Sequence, residues 1–89
     1  MNCKNDLAFK LIFIVDNYLK NKNIDRFYKK INNYNYKISF YINNDLYDYY
    51  KNYNKIIYDN MINGEHDETL INDFINIIRK ILIVLLVFE

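Results

Sequence analysis

Residues 68–88 constrain this chain more than any other stretch, because two adjacent apolar rows run through them at helical spacing. Leu70, Phe74, Ile77, Ile81, Val84 and Phe88 recur at intervals of four and three, and Ile71, Ile75, Ile78, Leu82 and Leu85 lie alongside. One such row seats a helix on the surface of a domain; two demand burial over a wider arc. Asp67 is placed to cap the start, with Glu68 in the first turn. Two arrangements satisfy the double row. Either this helix runs through the centre of the domain, or one row faces the domain and the other (Ile71, Ile75, Ile78, Leu82, Leu85) faces a second copy in a homodimer. A variant of the first makes the β-branched run "ILIVLLVF" a buried strand over 80–88. No membrane span is expected. Arg79 and Lys80 confine the unbroken apolar run to residues 81–88, whereas a spanning helix needs about 20 apolar residues.

Three earlier segments also carry the helical period. Leu7, Leu11, Ile14, Val15, Tyr18 and Leu19 share one face, which Phe9, Ile12 and Phe13 widen, so this helix is expected to be buried on two sides. Asn5 or Asp6 is its expected cap, and "KLIFIV" would alternatively suit a buried strand over 9–15. In "NIDRFYKKI", Asn23 stands at the cap and Ile24, Phe27, Tyr28 and Ile31 form one face, leaving Arg26, Lys29 and Lys30 outside. Leu46, Tyr50, Tyr53, Ile57 and Met61 mark a longer helix, capped by Asn44 or Asp45 and stopped by Gly64, the only glycine.

Between the second and third of these segments the period changes. Tyr34, Tyr36, Ile38, Phe40 and Ile42 alternate with Asn35, Lys37, Ser39, Tyr41 and Asn43, the signature of a half-buried strand over 34–42. The expected fold is therefore mainly α, a single domain over 1–89: a compact bundle of about four helices with one β segment. The alternative is a small α/β layer with strands near 9–15, 35–42 and 80–88. No targeting peptide, linker or repeat is legible.

Composition bounds the chemistry. Asn, Ile, Lys and Tyr supply 51 of 89 residues, while Pro and Trp are absent and Gly and Ala occur once each. The abundant four have AT-rich codons and Pro, Gly and Ala need GC-rich ones, which points to a very AT-rich genome such as that of a virus, a phage or an organelle. Asn and Tyr enrichment is therefore discounted first as mutational bias. The single cysteine, Cys3, rules out an internal disulfide and a cysteine-rich metal cage, and suits a reducing compartment.

Charge is split along the chain. Residues 1–40 carry eight basic and three acidic side chains, a net of +5, and residues 41–89 carry four and eight, a net of −4. The basic run Lys20, Lys22, Arg26, Lys29, Lys30 and Lys37 is interleaved with Tyr28, Tyr34 and Tyr36, which is one recipe for a single-stranded nucleic-acid site. The acidic second half and the net charge of +1 disfavour it.

No catalytic signature emerges. Cys3 and His66 are the lone members of their types, and nothing around either forms a nucleophile–base pair. The acidic cluster "GEHDE" (64–68) has no second cluster to complete a metal shell and reads as a solvated turn. No enzyme activity, cofactor or metal is expected.

The expected function is that of a small non-enzymatic protein–protein interaction module. It is expected to be virus- or phage-encoded, and to dock on and inhibit a host protein such as a defence component in the host cytoplasm. Tyr47 and Tyr58, off the apolar face of the 44–62 helix, join Arg26, Lys29 and Lys30 as expected partner-binding residues. The alternatives are a structural subunit of a larger assembly, packing through its apolar last helix, and a single-strand nucleic-acid binder acting through residues 20–37.

Overall fold

The side chains and backbone groups that start and stop each helix divide the chain into five. The computed structural model describes residues 3–87, as α1 Cys3–Asn21, α2 Ile24–Asn32, α3 Asn35–Tyr41, α4 Asn44–Ile62 and α5 Glu68–Val87. Asn23 Oδ1 accepts from the Arg26 N–H at 3.1 Å and Asp67 Oδ1 from the Leu70 N–H at 3.2 Å, as their cap positions predict. The cap of α4 is Asn43, accepting from the Leu46 N–H at 2.8 Å, one residue before the expected Asn44. Asn5 and Asp6 cap nothing, since α1 already runs through them.

Two helices end through left-handed residues. Gly64 (φ 71°) follows α4, its N–H bonding to the Met61 carbonyl at 3.0 Å and that of Glu65 to the Asn60 carbonyl at 3.0 Å. This is the paired closure that the position of the only glycine implied. Lys22 (φ 55°) follows α1, with a single bond from its N–H to the Tyr18 carbonyl at 2.7 Å.

The fold is mainly α, and the β segment is not formed: the described residues contain no strand. Residues 35–41 are helical, and residues 9–15 and 80–87 lie inside α1 and α5, which also removes the α/β alternative. Phe88 and Glu89 lie outside the described residues. The 34–42 alternation misled because a spacing of two contains a spacing of four. Tyr34, Ile38 and Ile42 form one i, i+4 row, in which Ile38 and Ile42 are buried and Tyr34 half-buried. Tyr36 and Phe40 form a second row on the outer side.

The double row on α5 is resolved in favour of the central helix, which packs chiefly against α1 and α4. Ile71, Phe74, Ile75, Ile77, Ile78, Ile81 and Leu85 are all buried, so both rows face the chain's own core. The self-association surface drawn from Ile71, Ile75, Ile78, Leu82 and Leu85 is thus taken up inside the domain, with Leu82 half-buried against the same core. An aromatic chain crosses that core. Tyr18 of α1 meets Phe27 of α2 at 5.0 Å, Phe27 meets Phe74 of α5 edge-on at 6.0 Å, and Phe74 stacks on Tyr50 of α4 at 5.5 Å. Each such pair adds about 0.5–1.5 kcal/mol to simple area burial. No helix among the described residues is long and apolar enough to cross a membrane.

Candidate interaction surface

The outer side of α1 departs from expectation. Phe9 and Phe13, one turn apart, are 63% and 62% exposed, so this helix is buried on one side only. On the neighbouring α3, Tyr36 and Phe40 are 74% and 66% exposed and touch each other at 4.8 Å. Scattered exposed apolar residues are ordinary, but several large rings on adjacent helices are a feature of interaction sites.

Two shallow basins lie along this face. The first, about 300 Å³, is lined by Cys3, Asp6, Leu7, Lys10, Tyr34, Lys37, Phe40 and Tyr41. The second, about 320 Å³, is lined by Phe9, Lys10, Phe13, Ile14, Lys30, Asn33 and Tyr34. Lys10 and Tyr34 belong to both, so they form a low ridge between the halves of one trough.

The ridge is positively charged. Lys10 Nζ lies 5.7 Å and Lys37 Nζ 6.0 Å from the centre of the Tyr34 ring, so two ammonium groups from different helices converge on one aromatic ring. The tight turn between α2 and α3 places Tyr34 there: its N–H bonds to the Ile31 carbonyl at 3.0 Å and its carbonyl accepts from the Ile38 N–H at 2.9 Å. Among the described residues the one basic–acidic side-chain contact within 4.0 Å is His66–Glu68 at 3.7 Å, outside the trough and an ion pair only with the imidazole protonated.

Of the expected partner-binding residues, Lys30 lines the trough. Arg26 lies elsewhere on α2, beside a small dent shared with Asn17, Asn21 and Asn23, and Lys29 is exposed on the same helix. Tyr58 is exposed but leans on Tyr28 of α2 at 5.6 Å. Burial, then the neighbouring Tyr58 and Asp59, push the Tyr28 phenol above its ordinary range. Tyr47 faces inward rather than outward: half-buried, it stacks on Tyr50 at 6.1 Å beneath Lys51 Nζ at 5.8 Å. The flank of α4 carrying Tyr47 and Asn54 is covered because α2 and α3 pack on it. The "GEHDE" loop spends Asp67 as a cap, and no group of three or more metal-ligating side chains is gathered among the described residues.

Phe9, Phe13 and Phe40 were missed as surface residues. Their spacing fitted a buried row, and nothing local in the sequence says which side of α1 a neighbour will cover. Compared with protein families, curated proteins and solved structures, the chain matches none.

Proposed function

We propose that this chain is a small non-enzymatic protein-binding module that docks on its partner through the α1–α3 face. We further propose that it is virus- or phage-encoded and acts in the host cell by covering, and so blocking, a host protein such as a defence component. The observation that carries the docking reading is the exposure of Phe9, Phe13, Tyr36 and Phe40 on two adjacent helices around a lysine-edged trough. Large rigid rings give much contact area at little entropic cost, which is why they dominate binding surfaces. The viral reading is supported by the codon bias behind the Asn, Ile, Lys and Tyr content.

A second reading, a subunit of a larger assembly, is favoured by a separate feature. Ile83, Leu86 and Val87 are exposed together along the end of α5. A single-strand nucleic-acid binder is less well supported, because its sequence pI of about 7.8 falls short of the pI above roughly 9 usual for such domains.

Nuclease-treated extracts of candidate host cells, passed over tagged wild type and over Phe9→Ser/Phe13→Ser/Phe40→Ser, test the docking reading. Circular dichroism confirms that the variant keeps its helices. Retention of a discrete protein by wild type alone is the expected result. Equal retention by both, or retention of nucleic acid only without nuclease, overturns it.

A further inference from the structure

Building on the α1–α3 face as the docking surface, we infer that its occupant is an acidic amphipathic helix of a partner protein. That helix carries apolar side chains at i and i+7 and carboxylates at i+3 or i+4.

The spacing comes from the trough. Leu7 forms part of the floor of one basin and Ile14 part of the floor of the other, seven residues apart on the same helix. At 1.5 Å per residue, Leu7 and Ile14 stand about 10 Å apart along α1. A helix lying along α1 brings two side chains to that separation when they are seven residues apart, one entering each basin. Phe40 and Tyr41 wall the first basin; Phe9 and Phe13 wall the second. The described residues offer no strand edge on which an extended segment could pair, so an apolar helix face is the form of peptide that suits such a trough.

The charge comes from the ridge. Residues i+3 and i+4 of the occupant fall midway between the basins, over Lys10 and beside Lys37 and Lys30. None of these three ammonium groups takes part in an ion pair among the described residues, and Asp6 is the one carboxylate lining the trough. Two of them are already gathered at the Tyr34 ring, so little ordering remains to be done when a carboxylate arrives. A polyanion such as RNA would meet the same three lysines but no arginine in the trough, on a chain of net charge +1. A protein partner with local acidity fits that balance better.

The test uses the full chain and a fluorescein-labelled helical peptide with Leu at i and i+7 and Glu at i+3 and i+4. Anisotropy measures binding, and amide chemical shifts place it. Saturable binding is expected, with shifts on Lys10, Phe13, Lys37 and Phe40. Affinity should fall roughly tenfold for Lys10→Glu/Lys37→Glu and return when the peptide glutamates are exchanged for lysines. Equal affinity of wild type for the Glu and Lys peptides overturns the inference. So do shifts confined to Ile83–Val87, or binding of an oligothymidylate in place of the peptide. If host-protein capture still depends on Phe9, Phe13 and Phe40 while the peptide fails, the docking surface stands and its acidic-helix occupant falls. If neither holds, the face itself is wrong.

Discussion

Tyr50 of α4 donates its phenolic hydrogen to Oδ1 of Asn35, at the start of α3. Asn35 donates in turn to Asn32 Oδ1 at 2.7 Å, and Asn32 to the Tyr28 carbonyl at 2.8 Å. This relay ties α4, α3 and α2 together. It matters because α3 is only seven residues long and has one fully buried side chain, Ile38. A helix that short does not hold its shape alone. The wall of the trough supplied by Phe40 therefore depends on a hydrogen bond made on the other side of α3.

Tyr50→Phe keeps the stack on Phe74 but leaves Asn35 Oδ1 without its donor. A loss of about 1–2 kcal/mol in urea denaturation is expected. Amide exchange should quicken across residues 35–41 before it does in α5. Unchanged protection of α3 would show that packing alone holds it.

Alkaline pH should destabilise the fold through the same residue. Burial pushes the Tyr50 phenol far above its ordinary 10.0, with the neighbouring Asn54 amide opposing the shift in part. Tyr18 moves the same way, by burial and then the Glu68 charge. Above about pH 10 the unfolded chain releases these protons while the folded chain keeps them. The stabilisation is complete below that pH and is lost as pH rises, by about 1.4 kcal/mol per pH unit from Tyr50, with Tyr18 adding in the same direction. Denaturation series between pH 8 and 11 should show the fall, and Tyr50→Phe should make it shallower.

Asn54 is buried on α4 with its amide close enough to the Tyr50 hydroxyl to lower that phenol's pKa, yet its Nδ2 makes no hydrogen bond of ordinary geometry among the described residues. Replacing an unsatisfied buried amide by an apolar side chain of similar shape removes a desolvation penalty. Asn54→Leu is expected to raise stability by about 1 kcal/mol, read as a higher denaturation midpoint at unchanged slope. A decrease would mean that the amide supports the Tyr50 hydroxyl.

The two left-handed helix stops give opposite predictions. A Cβ added to Gly64 meets nothing within 4 Å, so Gly64→Ala bears the backbone strain alone, about 1 kcal/mol of destabilisation. Lys22→Gly relieves the same strain at the end of α1, but it also removes the ammonium 5.4 Å from the Tyr18 ring. A net gain of about 0.5 kcal/mol is expected, and a scanning calorimeter would register both signs.

Much of the framework was legible along the chain. Asn23 and Asp67 as caps, Gly64 as the stop of α4 and the wide apolar arc of α5 are local statements, and each follows from the chemistry of a few neighbouring residues. The candidate surface was not legible, for two reasons of geometry. The alternation at 34–42 put Tyr36 and Phe40 on the same side as Ile38 in a strand, whereas helical winding turns them away from it. The period of α4 alone, which puts Tyr47 and Tyr58 off the apolar face, does not show that Tyr47 packs on Tyr50 or that Tyr58, still exposed, rests on Tyr28 of α2.

By itself, then, the sequence determined where α2 and α5 begin, where α4 ends and that the last helix needs burial on two sides, because caps and apolar periods act within a few residues. Only the tertiary structure decided which rows are covered. Phe13 and Ile14 are adjacent and both apolar, yet one is exposed and the other buried, because α2 and α5 pack against a single side of α1. Lys10 is on α1 while Tyr34 and Lys37 lie one turn apart at the start of α3, and only the packing of these two helices brings both ammonium groups to one ring.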